Sequence, residues 1–296
     1  MNMKVLNFGS LNIDYVYEVD NFVKKGETIA SKSMQQFVGG KGLNQTVALK
    51  RAGVNVAHAG SVGKDGSFLL DYLSNEGIDT SLIYINPDVK TGHAIIQIDH
   101  SHDNCILLYG GANRAIPSFY FDKILHTYQA GDFIVLQNEI NDVSKIIEQA
   151  HEKGMIVIYN PAPMNEDAKQ VNFDFVDYLI LNEHEASALL NIDPENISQL
   201  IEGLARRFSN KHIILTLGET GSVYIHGERI YRQKAYRAPV VDTTGAGDTF
   251  IGFFVASIVK GKTIKISMDI ASRASSMAIS KKGAAPSIPY IADIDE

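Results

Sequence analysis

Alternation of short apolar runs with helix-period segments constrains this chain more than any other feature. Val5–Phe8, Val54–Val62, Phe133–Gln137, Ile156–Asn160, Tyr178–Leu181 and Ile213–Leu217 are short β-rich runs, several of them bounded by Gly, Asn or Asp. Runs that are apolar throughout suit strands covered on both faces, as in a parallel sheet. Between or after them the spacing predicts helices over Leu43–Arg51, Phe68–Asn75, Val143–His151, Glu183–Leu190, Gln199–Phe208, Ala246–Val259 and Ile264–Ser280. This pattern is the signature of an α/β fold, with a central, mostly parallel sheet flanked by helices.

Two stretches break the alternation. Tyr15–Val38 and Thr91–Tyr109 read as strands without intervening helices. In the second, Ala94–Ile98 and Cys105–Leu108 flank the polar stretch Asp99–Asn104, which suits a hairpin loop. A small antiparallel sheet, separate from the main one and built from about residues 13–38 and 90–110, is therefore expected. Such an appendage can act as a lid that keeps water from a site.

Composition narrows the function classes. A chain of 296 residues with 45% hydrophobic and 21% charged residues has the make-up of a globular protein rather than a disordered one. Its formal net charge of −7 argues against a nucleic-acid partner, which normally calls for a basic face. No run approaches the ~18 apolar residues of a membrane span, and the first residues lack the apolar stretch of a signal peptide. The expectation is a soluble, cytoplasmic protein with no membrane partner. The single cysteine, Cys105, excludes an intramolecular disulfide, and its apolar strand neighbours suggest a packed core thiol. Among nine histidines, His100-Ser101-His102-Asp103 invites a zinc reading, but without a His-Glu-x-x-His pattern or cysteine help a solvated hairpin tip is the better expectation.

Four segments have the residue types of a chemical site. Asp242-Thr243-Thr244-Gly245-Ala246-Gly247-Asp248-Thr249-Phe250 places glycines just before a helix that is apolar nearly all round, and such a helix should be buried. Its first N–H groups then form an anion hole at Gly245, Ala246 and Gly247. Asp248 at that mouth either accepts a proton from an attacking hydroxyl or merely suits the helix dipole. Gly39-Gly40-Lys41-Gly42-Leu43-Asn44-Gln45 also leads glycines into a helix, where a ligand can approach the backbone and Lys41 and Asn44 offer donors. It lacks the spacing of a P-loop. Asn182-Glu183-His184-Glu185, at a strand end, can present an amide and a carboxylate to a hydrated Mg²⁺, or can simply cap the helix. Thr216-Leu217-Gly218-Glu219-Thr220-Gly221 is a strand end followed by a glycine turn, where ligands of open α/β sheets bind.

Taken together and in this order, these motifs resemble the ribokinase branch of the PfkB sugar-kinase family, from Gly9-Ser10-Leu11-Asn12-Ile13-Asp14 to Gly283-Ala284-Ala285-Pro286-Ser287. The resemblance implies a single ribokinase-like domain over residues 1–296, with a β lid that often forms a dimer clasp. Its implied activity is Mg²⁺- and ATP-dependent phosphorylation of a small sugar at a primary hydroxyl, D-ribose being the first choice. Asn12, Asp14, Gly40, Lys41, Asn44 and Glu139 match residues that hold the sugar. Asn182, Thr216, Gly218, Gly221, Gly247 and Ser272 match the nucleotide side, and Glu185 matches the motif linked to Mg²⁺ through water. Asp242, Thr244, Ala278, Lys281, Gly283 and Ser287 match a loop pair for K⁺ or another monovalent cation, and Asp248 matches the catalytic base. The sequence departs from the family pattern at the shortened Gly63-Lys64-Asp65-Gly66 turn, at Leu43 and at Ser272. A fructokinase or nucleoside kinase of the same family is the nearest alternative. A non-catalytic sugar sensor is a rival of another class, and a Rossmann dehydrogenase is opposed by the lack of Gly-x-Gly-x-x-Gly after the first strand.

Overall fold

The computed structural model describes residues 3–101 and 103–294. The strands are β1 (Val5–Phe8), β2 (Asn12–Glu18), β3 (Ser33–Gly39), β4 (Val56–Gly63), β5 (Asp79–Asn86), β6 (Gly92–Ile98), β7 (Asn104–Tyr109), β8 (Phe133–Gln137), β9 (Ile156–Asn160), β10 (Tyr178–Asn182), β11 (His212–Thr216), β12 (Ser222–His226) and β13 (Arg229–Gln233). Nine of them form one sheet in the order β13-β12-β11-β10-β9-β8-β1-β4-β5. All neighbours from β11 to β5 run parallel, and the pairs β11–β12 and β12–β13 at one edge are antiparallel.

Period-two alternation sends successive side chains of each strand into different cores. Val5, Phe133, Val135, Ile158, Ile180 and Ile214 meet helices Lys41–Arg51, Ser67–Asn75, Ala246–Val259 and Ile264–Ala278 on one face. Leu6, Phe8, Ile134, Leu136, Val157, Tyr159, Leu179 and Leu181 meet helices Ser118–Leu125, Val143–Glu152, Glu183–Leu190 and Ile197–Arg207 on the other. The sheet is therefore covered on both sides, as its apolar strands require. Helix Ala246–Val259 is buried continuously from Asp248 to Ser257, in agreement with its all-round apolar sequence. Helix Ser118–Leu125 and strands β5 and β13 were not legible, because their sequences mix exposed polar positions into short apolar patterns; β12, buried over four of its five residues, was also not read as a strand.

Strand order fixes where a ligand can sit. From β1 the chain moves outward through β4 to β5, then returns to the other side of β1 as β8. The crevice beyond the carboxyl ends of β1 and β8 is the topological switch point, where open α/β sheets bind their ligands.

The second sheet has the order β3-β2-β6-β7 and covers this end of the molecule. Its outer pairs are antiparallel, as expected of this small separate sheet, and its central pair, β2 with β6, is parallel, so the sheet is mostly antiparallel. The hairpin between β6 and β7 closes where expected: Asp99 Oδ1 accepts from the N–H groups of Ser101 and Asp103. His102 lies outside the described residues, and His100 Nδ1 meets the Asp20 carbonyl at 2.8 Å. Among the described residues no cluster of three or more His, Cys, Asp or Glu could hold a metal. Cys105 corrects a sequence expectation: it is exposed, because β7 is an edge strand with no element packed over it. No helix among the described residues is long and apolar enough to cross a membrane.

Candidate active site

The crevice beyond β1 and β8 is lined by polar groups that the chain has just turned over to place there. Ser10 follows β1 and Glu139 follows β8. The Ser10 hydroxyl donates to Glu139 Oε2, and the same oxygen accepts from the Lys41 backbone N–H at 3.0 Å. Ser10 also takes the Leu43 N–H on its carbonyl at 2.9 Å. Glu139 thus straps both central strands to the first turn of helix Lys41–Arg51. That helix starts directly after β3, so the glycine pair Gly39-Gly40 joins the lid to the main body.

Asn12 and Asp14 lie on β2, the strand that follows Ser10, with Asp14 near enough to Glu139 to feel its charge. Asn12 Oδ1 accepts from Asn113 Nδ2 at 2.7 Å, and Asn113 is also bonded to the backbone of Leu11. Asn113 is a buried positioning group that the sequence alone did not single out. Asp14 lies against Gly39 so closely that a Cβ on residue 39 would fall 2.1 Å from Asp14 Oδ2. Burial, with Glu139 adding like-charge repulsion, pushes the Asp14 carboxyl up to about 7. Desolvation disfavours the charged form, and here little inside the protein offsets it.

Opposite stands the helix that begins at Ala246. Gly245 adopts φ +74°, a left-handed conformation that ordinary residues avoid. Ala246 returns its N–H to the Thr243 carbonyl at 3.2 Å and Thr249 returns its own to Gly245 at 2.8 Å. The Gly245, Gly247 and Asp248 N–H groups have no such partner among the described residues; of the expected anion-hole donors Gly245 and Gly247 are therefore free, Ala246 is taken up by the turn before the helix, and Asp248 joins them. The Asp248 side chain is only 8% exposed. Its Oδ2 accepts from Asn44 Nδ2 at 3.0 Å and its Oδ1 from Gln45 Nε2 at 2.9 Å. Lys41 stands nearby: attraction to Asp248, opposed by burial and assisted by Glu139 and Glu185, raises its ammonium above the usual lysine range. Two amide donors and an ammonium thus surround this carboxyl group.

A cleft of about 250 Å³ brings Lys41, Asn182, Glu185, Thr216, Gly245, Gly247 and Asp248 together. It is completed by Asn160, Ala162, Ile180, Leu181, Thr243 and Ile251, to which no role was assigned from the motifs. Asn160 ends an apolar strand with a polar residue, and that signal could have found it. Asn182 and Glu185 form a full capping box: Asn182 Oδ1 accepts from the Glu185 N–H at 2.8 Å, and Glu185 Oε2 from the Asn182 N–H at 2.9 Å. Capping and cleft lining are compatible, since one carboxylate oxygen serves the cap. Burial raises the Glu185 carboxyl, against the pull of the Asn182 N–H and Lys41.

Three nucleotide-side candidates fall outside this lining. Gly218 and Gly221 shape the turn after β11, closed by the Leu217 N–H on the Gly221 carbonyl at 2.8 Å. Ser272 is buried on helix Ile264–Ala278 and donates to the Lys234 carbonyl at 3.2 Å.

The loop-pair candidates do meet. Asp242 Oδ1 accepts from the Thr244 N–H at 2.9 Å and its hydroxyl at 2.6 Å, while Oδ2 accepts from the Gly283 N–H at 2.9 Å. Burial alone would raise the Asp242 carboxyl, but these bonds outweigh it and hold it below the usual range. The Lys281 N–H returns to the Ala278 carbonyl, and the Ser287 hydroxyl donates to Ala284, so the second loop is an irregular turn with its own internal bonds.

Relatives share both chain length and shape with this arrangement. The chain is 32% identical to a ribokinase of Staphylococcus aureus, with both chains covered in full, and 34% identical to one of Bacillus subtilis over 97% of each. The structure of Arabidopsis thaliana ribokinase complexed with ribose and ATP superposes with a TM-score of 0.88 at 28% identity, over 99% of this chain and 98% of that one. The family model of pfkB carbohydrate kinases matches residues 2–291, and the chain belongs to that family.

Proposed function

We propose that this chain transfers the γ-phosphoryl group of ATP to the primary hydroxyl of D-ribose, giving D-ribose 5-phosphate. The observation that carries this reading is the Asp248 carboxylate, held between two amide donors at the mouth of a buried helix whose Gly247 and Asp248 N–H groups are free. Phosphoryl transfer needs positioning and charge stabilisation more than covalent help. The sugar would lie in the crevice between Asn12, Asp14, Lys41 and Glu139, and the nucleotide along Asn182, Glu185 and Thr216. Asp248 takes the proton of the attacking hydroxyl as the new oxygen–phosphorus bond forms and the bond from the γ-phosphorus to the bridging oxygen breaks, with ADP as the leaving group. The free N–H groups and Lys41 meet the charge on the transferring group.

A divalent cation at the cleft would find no all-protein cage among the described residues. That suits Mg²⁺, which keeps several waters and takes phosphate oxygens, with Glu185 reaching it through water. When bound, it neutralises phosphate charge. The oxygen-rich loops around Asp242, Thr244 and Ala278–Ser287 suit K⁺ or another monovalent cation, whose charge would order the segment beneath the anion hole. Ile106, Leu107, Leu108 and Tyr109 line the exposed edge strand of the lid, Leu107 being 67% exposed, and a second copy's lid would cover them in a homodimer.

The test is ADP formation with MgATP across a panel of D-ribose, 2-deoxyribose, fructose and nucleosides. D-Ribose should give the highest kcat/KM. A preference for fructose or a nucleoside would overturn the ribose assignment, and no ADP with any acceptor would overturn the kinase reading.

A further inference from the structure

Four strands of the main sheet carry, on the same face, a polar residue where period-two alternation calls for an apolar one. They are His58 on β4, Asn7 on β1, Gln137 on β8 and Asn160 on β9. Asn7 pairs in register with His58, and Gln137 with Asn160; Asn7 lies opposite Val135, so the two pairs are offset by two residues, and the Gln137–Asn7 hydrogen bond joins them into one staggered row. Helix Lys41–Arg51 adds Gln45 and Thr46 over this row. Asn7, Gln45, Thr46, His58 and Gln137 are all 0% exposed. Buried polar side chains of this kind need partners, and apart from Gln137 Oε1 and His58 Nε2 these find them in one another and in nearby backbone.

Their hydrogen bonds run in one direction. Asn7 Nδ2 donates to the Gly42 carbonyl at 2.8 Å and to Thr46 Oγ1 at 2.7 Å. Its Oδ1 is then left to accept from Gln137 Nε2 at 2.9 Å. The same Gln137 amide donates to Gln45 Oε1 at 2.7 Å. Gln45 Nε2 is thereby turned to Asp248 Oδ1 at 2.9 Å and Asn160 Oδ1 at 3.4 Å. Asn160 is oriented in turn by its own donation to the Ile180 carbonyl at 2.9 Å. A backbone carbonyl can only accept, so Gly42 and Ile180 fix which end of each amide points where. Turning Gln45 over would face its oxygen to the Asp248 carboxylate and its NH₂ to that of Gln137. Thr46 Oγ1 also meets His58 Nδ1 at 2.7 Å, and burial brings that imidazole down to about 3, so the row stays neutral. Asp248 is the charged group on which it ends.

We infer that Gln45 is a positioning residue for the Asp248 carboxylate, its amide locked in the donating orientation by the buried Asn7–Gln137 relay. This inference rests on the reading of Asp248 as the base. Asn44 holds the second carboxylate oxygen from the adjacent position of the same helix, so the plane of the carboxylate is set from two sides. A remote buried amide row then does work that the cleft itself does not reveal: it keeps the oxygen that receives the proton in one direction.

The test uses Gln45→Met, which keeps length and volume but loses the donor, and Gln45→Glu, which keeps the acceptor toward Gln137 but turns a carboxylate on Asp248. Each variant is measured for kcat, sugar KM and Tm, with Asp248→Asn alongside. Both should lower kcat by ~10-fold or more, the scale on which misplacement of a reacting group is felt, while sugar KM stays within about two-fold. Gln137→Met should show the same split to a smaller degree, without touching Asp248. In the Asp248→Asn background, Gln45→Met should cost less than about two-fold in single-turnover rate, because the group it positions is gone. Wild-type kcat in folded Gln45→Met or Gln45→Glu, with Asp248→Asn impaired, would overturn the positioning role alone. Loss confined to Tm and KM would do the same. Asp248→Asn at wild-type rate would instead remove the base itself, and this inference with it.

Discussion

Asn44 Nδ2 donates to Asp248 Oδ2 at 3.0 Å, joining the first turn of one glycine-led helix to the first turn of another across 204 positions of sequence. The two helices pack directly: a Cβ on Gly252 would fall 2.3 Å from the Ala48 Cβ. Close approach of the helices is what lets a sugar-side amide and the proposed base share one hydrogen bond.

Replacing Asp248 by Asn tests the base. Turnover should fall by roughly 10²-fold or more, the usual range for a lost general base. One of the two amide donors, Asn44 or Gln45, would then face an NH₂ group, and losing that bond should cost about 1 kcal/mol of stability. Nucleotide binding by calorimetry should be retained. A variant with wild-type single-turnover rate would exclude Asp248 as the base.

Gly39 offers a steric test of Asp14. Its backbone tolerates other residues, but a methyl group there would lie 2.1 Å from Asp14 Oδ2. The carboxylate would have to rotate away while the sheet stays intact. Gly39→Ala should raise the sugar KM by about ten-fold or more, as expected when a buried hydroxyl loses its partner, with a near-normal Tm. Unchanged sugar kinetics would show that Asp14 does not hold the sugar.

The Asp14 carboxyl, raised to about 7 by burial and Glu139, makes a prediction about pH. Hydroxyl donors of a sugar favour the ionised form, so the apparent affinity for sugar should weaken as pH falls through about 7. Asp14→Asn should remove that dependence along with most of the affinity. For stability the sign is opposite. The folded pKa is raised, so the contribution of Asp14 is full below its unfolded value of 3.8 and is lost as pH rises through about 7. Without sugar at pH 8, Asp14→Asn should therefore melt above wild type, by roughly 2–4 °C for a chain of this size. A lower Tm at pH 8 would contradict it.

Arg51 joins the far end of helix Lys41–Arg51 to the C-terminal loop. Its guanidinium pairs with Glu76 at 2.5 Å and donates to the Ile288 carbonyl at 2.6 Å and the Ala285 carbonyl at 3.1 Å. Both side chains of the ion pair are largely buried. Arg51→Met would leave Glu76 uncompensated and should destabilise the fold by about 3–5 kcal/mol. Adding Glu76→Leu should recover part of that loss, measured by urea unfolding. If the double variant is no more stable than the single one, Glu76 is not the group left stranded.

Much of this protein was determined by sequence alone. The apolar runs at Phe133–Gln137 and Ile156–Asn160 and the helix at Ala246–Val259 declared themselves because burial on all sides leaves one pattern, and patterns are local. The glycine-led turns at Gly39–Gly40 and Gly245–Gly247 were legible for a related reason: a backbone that must approach another group needs glycine wherever it sits. Tertiary structure decided what lies across from what. Cys105 shares its apolar neighbourhood with core strands, and only the absence of a layer over β7 exposes it. The parallel pairing of β2 with β6 depends on strands 80 residues apart, for which local sequence has no signal. Asn7, Gln137 and Asn160 lie in three different apolar runs of the sequence, and only strand order and the helix above bring them to one set of hydrogen bonds leading to Asp248. Side-chain periodicity reports which face a residue takes. Which partners wait on that face is set by strand order, and that order is a property of the whole chain.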